Sequence, residues 1–114
     1  MDDCLFCRIV RREIPADVVH ETATTLAFRD ISPQAPTHVI VVSRAHHPDL
    51  VSLARQAPDV AADVLTAAGQ VAASEGVGEE GYRLVSNTGA RAQQSVPHVH
   101  VHVLGGRDMT WPPG

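Results

Sequence analysis

The sequence predicts an antiparallel α+β fold, a sheet of about five strands with a long and a short helix. Three observations predict it. Residues 18–21 and 25–29 are two short strand-like runs joined by a connection of hairpin length, Glu21-Thr22-Ala23-Thr24. His38-Val39-Ile40-Val41-Val42-Ser43 is β-branched and continuously apolar at its centre, which suits a central strand covered on both faces. The run His98-Val99-His100-Val101-His102 alternates with period two.

Each element follows in order. Residues 4–11 read as a short helix with Leu5, Phe6 and Ile9 turned inward, broken by Ile14-Pro15-Ala16-Asp17. The hairpin comes next, then a loop at Ile31-Ser32-Pro33-Gln34-Ala35-Pro36, where two close prolines forbid regular structure. After the central strand, Pro48 starts a short helix through Leu53, and Pro58 opens the long one. Its apolar stripe is Val60, Val64, Leu65, Ala68, Val71 and Ala72, and Gly76 and Gly78 stop it. Residues 82–87 form a strand, residues 88–94 a polar loop, and residues 98–104 the last strand. Gly105-Gly106 ends that strand before a tail through Trp111. Hairpin connections place the helices on one face of the sheet.

A length of 114 residues fits one domain, 1–114. A net charge of −4 argues against a nucleic-acid polymer as partner but admits a single nucleotide. No stretch is long and apolar enough to span a bilayer, so no membrane partner is expected. The N-terminus, Met1-Asp2-Asp3-Cys4-Leu5-Phe6, lacks the pattern of a secretory signal, and a cytoplasmic location is the expectation. Cys4 and Cys7 then read as half a metal site or a redox pair.

The chain carries 7 histidines, and three of them decide the function. On a strand, His98, His100 and His102 share one face, while Val99, Val101 and Val103 point into the core. Three readings compete: a solvated surface, a metal site, or acid, base and nucleophile chemistry. The upstream loop supplies neutral donors, with Asn87, Gly89, Gln93, Gln94 and Ser95 and no carboxylate. Phosphoryl oxygens accept from such donors, whereas hydrolytic zinc sites enlist a carboxylate. The favoured reading is attack by histidine on phosphorus.

These residues resemble the histidine triad (HIT) family, and in particular its Hint branch of purine nucleoside phosphoramidases. The resemblance rests on His98-Val99-His100-Val101-His102-Val103 preceded by Gln94-Ser95-Val96. It extends to residues 28–38, to Leu104-Gly105-Gly106-Arg107 and to the ending Trp111-Pro112-Pro113-Gly114. It implies the HIT fold, in a homodimer with one continuous sheet. It implies hydrolysis of the P–N bond in purine nucleoside 5′-phosphoramidates through a nucleotidyl-histidine, with no cofactor for catalysis. Aminoacyl adenylates and dinucleoside polyphosphates are secondary substrates, and a nucleotide-binding scaffold is the alternative from another class.

The family's roles transfer residue by residue. His100 is the nucleophile, oriented by the backbone of His98. His102 and His38 complete the row. Ser95, Asn87 and Gln94 contact the phosphate or the departing amine. Asp30 accepts from the ribose. Phe6, Ile9, Phe28 and Ile31 form the purine slot, with plain core packing as their competing role. Relatives with Cys-x-x-Cys imply a structural zinc held by Cys4, Cys7, His46 and His98, with His47 as the alternative ligand, expected exposed. His20 reads as surface. The tail at Trp111 is a segment that reaches a partner's site. One departure stands out: Gln93 occupies a place where relatives carry glycine, so a positive φ there costs strain.

Overall fold

The computed structural model describes residues 3–114; Met1 and Asp2, part of the N-terminal stretch read above for an export signal, lie outside the described residues. Three helices, α1 (Leu5–Val10), α2 (Leu50–Gln56) and α3 (Pro58–Ser74), accompany five strands. The strands are β1 (Val18–Glu21), β2 (Thr25–Arg29), β3 (Thr37–Ser43), β4 (Tyr82–Val85) and β5 (His100–Gly105). They form one antiparallel sheet in the order β1-β2-β3-β5-β4. No described helix is long and apolar enough to cross a membrane.

The central position of β3 follows from its composition, and all seven of its residues are buried. The period of two divides its side chains. Val39 and Val41 join Ala27, Val99, Val101 and Val103 in a core beneath α3. Ile40 and Val42 join Leu26, Phe28 and the α1 residues Phe6, Cys7 and Ile9 in a second core on the opposite face. Helices therefore cover both faces, not one. The expectation of a single face overlooked the short α1, whose inward residues need their own apolar partner.

Local chemistry sets the helix ends. Asp49 caps α2 by accepting from the Ser52 amide at 2.8 Å, so the helix starts at Leu50, beyond Pro48, and runs past Leu53. Pro58 does open α3. Its inward stripe uses Ala61 and Ala67 beside Val64, Ala68, Val71 and Ala72, while Leu65 faces out at 48% exposure. The buried residues centre on Val64 and Ala68, and Leu65 sits at the edge of that arc, where it reaches solvent. Gly105 packs against the segment after α3: a β-carbon there would stand 2.9 Å from Val77.

The last strand begins at His100, two residues later than expected. Pro97 has no amide hydrogen, and the next two amides leave the ladder. His98 N–H donates to Val96 O at 2.8 Å and Val99 N–H to His47 O at 2.7 Å. His47, expected exposed, is half-buried by that contact. His20, expected on the surface, is half-buried too, with its Nε2 enclosed and unpartnered among the described residues.

Candidate active site

The register brings distant residues into one row. Phe28 opposes Ile40, and Ile40 opposes His102. Leu26 opposes Val42, and Val42 opposes His100. The histidines and the α1 core thus share a sheet face. Phe6 meets the His100 ring edge-on, with centroids 5.0 Å apart.

Hydrogen bonds fix the tautomers. A carbonyl oxygen only accepts, so His100, 2.7 Å from the His98 carbonyl, donates from Nδ1. Its Nε2 then carries the lone pair in the neutral ring. The Gln34 amide donates to His38 Nδ1 at 3.0 Å, so His38 holds its proton on Nε2 and donates to His102 Nδ1 at 2.9 Å. His102 consequently carries its proton on Nε2. Burial pushes the His102 imidazole down to about 4, and His100 and His38 add to that shift. Burial also lowers His38, against a weaker opposing pull from Asp30. Neutral His38 and His102, with His100 held through its Nδ1, give the fixed orientations that a nitrogen nucleophile and a neighbouring donor require.

A carboxylate does stand beside this row, contrary to the reading of the loop alone. Asp30 Oδ2 lies 3.4 Å from His38 Nε2, and its Oδ1 accepts from the Ser32 amide at 2.7 Å. Asp30, His38 and His102 gather ligand-type atoms within 4.8 Å. Their directions do not suit a metal. The His38 and His102 centroids are 5.1 Å apart with 2.9 Å between the facing nitrogens, so the rings meet head-on along one line. Lone pairs that chelate must converge on a third point.

A cleft of about 620 Å³, within the range of ligand pockets, adjoins the row through Phe6 and Asp30, which touch His100 and His38; the histidines themselves lie behind its lining. Phe6, Ile9, Phe28, Ile31, Asp30 and Ser95 all line it, as the resemblance implied. Phe6, Ile9 and Phe28 are also buried core residues, so packing and wall coincide in the same side chains. Ile31 is fully exposed and sits at the rim. Ile14, Asp17, Ile40 and Val96 were missed. Ile40 had a signal, since it lies two residues from His38 on one strand and so shares its face.

Two expected contacts fall elsewhere. The Gln94 side chain accepts from the Gly89 amide at 3.0 Å and donates to the Pro48 and Val96 carbonyls at 2.7 and 3.1 Å. Its bonds are spent on backbone, two on its own segment and one on Pro48 before α2, so it ties the segment that carries Ser95 to the rest of the fold. Asn87 is half-buried after β4 and does not line the cleft. Gln93 adopts φ 64°, ψ 40°, so the condition under which a non-glycine residue is strained at this place is met.

The cysteine pair closes a second cluster. Ligand atoms of Cys4, Cys7, His46 and His98 lie within 4.8 Å of one another. Cys4 Sγ and Cys7 Sγ are 3.4 and 3.5 Å from His98 Nδ1, and Cys7 Sγ is 3.3 Å from His46 Nδ1. Tetrahedral zinc with Cys and His ligands requires about 3.5 Å between sulfur and nitrogen. His98 Nε2–H donates to the Ser43 carbonyl at 2.8 Å, which leaves Nδ1 free to ligate. Burial lowers the His98 ring to about 4, keeping it neutral, and raises the Cys7 thiol. The donor set fits zinc; His46 occupies the place for which His47 was the alternative.

Comparisons with known proteins accord with this geometry. A purine nucleoside phosphoramidase of Escherichia coli is 40% identical over 108 residues, 95% of this chain and 91% of that protein. A 14 kDa zinc-binding protein of Zea mays is 46% identical, covering 96% of this chain and 87% of its own. The crystal structure of a HIT family hydrolase from Legionella pneumophila superposes with a TM-score of 0.94 at 47% identity, covering 98% of this chain and all of that one. The model of the HIT domain matches residues 11–109, from the end of α1 to beyond the last strand and with every histidine of the row inside it; the chain belongs to the HIT family.

Proposed function

We propose that the protein hydrolyses the P–N bond of purine nucleoside 5′-phosphoramidates through a covalent intermediate on His100. One observation carries the reading: the bond from His100 Nδ1 to the His98 carbonyl reserves Nε2 for attack, on a ring that touches Phe6 in the wall of a nucleoside-sized cleft. Nε2 attacks the α-phosphorus, the P–N bond breaks, and the amine takes up one proton from solvent as it leaves; the water of the second step returns that proton. Water then attacks the nucleotidyl-histidine, releasing the nucleoside monophosphate and restoring the ring. His102 offers its Nε2–H to a phosphoryl oxygen, and the Ser95 hydroxyl faces the same cleft. Asp30 accepts from the ribose, and Phe6, Ile9 and Phe28 hold the base. The E. coli relative named purine nucleoside phosphoramidase supports this substrate class. Peptide mapping of enzyme quenched during turnover of adenosine 5′-phosphoramidate tests it: the reading expects AMP on His100, and an adduct on another residue overturns it.

We further propose that Cys4, Cys7, His46 and His98 hold one structural zinc, which ties α1 to the segment before β5. The zinc-binding name of the maize relative supports this, as does the donor geometry. Zinc would supply a fixed cross-link and no chemistry at phosphorus. Elemental analysis of untagged protein is expected to find about one zinc per chain, and hydrolysis by the folded protein is expected to resist chelators. Less than a tenth of that zinc content overturns the assignment.

A homodimer completes the reading. Leu65 on α3 and Tyr82 and Leu84 on the β4 edge are large, apolar and exposed, and that edge strand is open to pairing. Trp111, 82% exposed, belongs to a tail suited to docking on a partner. Sedimentation equilibrium giving a monomer at micromolar concentration would contradict it.

A further inference from the structure

Cys4 and Cys7 have no disulfide. Their sulfurs lie within 4.8 Å of each other, so side-chain rotation with a small backbone adjustment brings them to the roughly 2.05 Å of a disulfide. Both thiols are nearly enclosed, yet Cys4 and His46 form part of the wall of a second surface cleft, about 700 Å³, which shares Leu5, Ser95 and Val96 with the first. A small oxidant reaches Cys4 from that cleft without unfolding.

The thiols are coupled to the nucleophile through one residue. His98 is fully buried, and its ring is held at two ends: Nε2–H on the Ser43 carbonyl and Nδ1 against both sulfurs. Its carbonyl is the acceptor that fixes the tautomer of His100. Closing a disulfide draws the sulfurs together and withdraws at least one of them from Nδ1. A buried nitrogen then lacks its partner, and the fold relieves this by moving His98. The His98 carbonyl moves with it.

We propose that Cys4 and Cys7 form an oxidation site for peroxides, and that the resulting disulfide weakens the nucleophile by displacing His98. The proposal rests on the reading of His100 as nucleophile. In the step, two S–H bonds (or, where the sulfurs hold zinc, two sulfur–zinc bonds, with the ion released and two protons taken from solvent) and one O–O bond break, and one S–S bond forms. The sulfurs are oxidised, the peroxide oxygens are reduced, and hydrogen peroxide leaves as two waters. Oxidation and a metal shared by both sulfurs exclude each other, so reduced and oxidised protein also differ in metal retention.

The test treats the purified protein with hydrogen peroxide and follows three readouts: peptide mass, the His100 Nδ1–H resonance in a ¹H–¹⁵N spectrum, and kcat. The expected result is loss of two hydrogens across Cys4 and Cys7, a shifted His100 resonance, and a fall in kcat of about tenfold or more. Dithiothreitol reverses all three. In Cys7→Ser protein, Cys4 has no disulfide partner, and peroxide is expected to leave the resonance where that variant starts. A disulfide with an unmoved His100 resonance overturns the proposal, as does oxidation that stops short of a disulfide. Movement of the resonance in treated Cys7→Ser protein also overturns it. If reduced protein has no phosphoramidase activity, the functional reading fails, and the resonance still decides the coupling.

Discussion

His100 donates from Nδ1 to the carbonyl oxygen of His98 at 2.7 Å, across a single intervening valine. That contact is set by backbone conformation, so the His100 ring, the proposed nucleophile, is oriented by the chain that carries it. It also gives His98 two roles, with its carbonyl in the active site and its ring in the cysteine cluster.

Removing the attacking nitrogen should abolish turnover while preserving the cleft. His100→Ala is expected to lower kcat by on the order of 10⁴-fold or more. Nucleotide affinity, read by calorimetry with AMP, should stay within about threefold, since the ring makes no base or ribose contact in this account. Retained turnover would remove His100 from the mechanism.

In the proposed function, Asp30 separates ribose recognition from chemistry. Asp30→Asn keeps the side-chain shape and the acceptor for the Ser32 amide but loses the charge. Loss of a charge-assisted bond predicts a KM about tenfold higher for a ribonucleoside phosphoramidate. For the 2′,3′-dideoxy substrate the same variant should change KM little. An equal effect on both substrates would assign Asp30 to the histidine row instead, through its 3.4 Å approach to His38.

The Gln93 backbone is strained, and the strain is measurable. At φ 64° a β-carbon crowds the chain, which costs about 1 kcal/mol or more. Gln93→Gly removes this but adds freedom to the unfolded chain. The net expectation is a gain of about 0.5 kcal/mol, a Tm rise of roughly 2–4 °C by calorimetry. A lower Tm would show that the Gln93 side chain contributes a stabilising contact.

Protonation of His102 should require acid. Its ordinary value of 6.5 is lowered to about 4 in the fold, first by burial and then by the neighbouring histidines. The fold therefore favours the neutral ring. That stabilisation is complete above pH 6.5 and is lost as pH falls through 4. A proton NMR titration of the His102 ring is expected to show a midpoint well below 6; one at or above 6.5 contradicts the burial argument.

Much of this was legible in the residues. The hairpin follows from two short runs with a brief connection, the doubly covered β3 from its continuous apolar run, and the valine face of β5 from period-two patterning. The side-chain hydrogen bonds were not legible. Nothing in the order of residues indicates that Gln94 spends its amide on Gly89, Pro48 and Val96, since that depends on where three separate backbone groups arrive. Leu65 was placed inside by its spacing, but it lies at the edge of the helical arc that the sheet covers and faces solvent. Asp30 was tied to the ribose alone, while β2–β3 pairing also brings it to His38.

The covalent route is tested most directly by stereochemistry at phosphorus. A chiral adenosine 5′-phosphoramidothioate hydrolysed in ¹⁸O-water yields a thiophosphate whose configuration records the number of displacements. Attack by His100 followed by attack by water inverts phosphorus twice, so the account predicts net retention. Net inversion would mean that water attacks directly, and it would contradict the nucleotidyl-histidine.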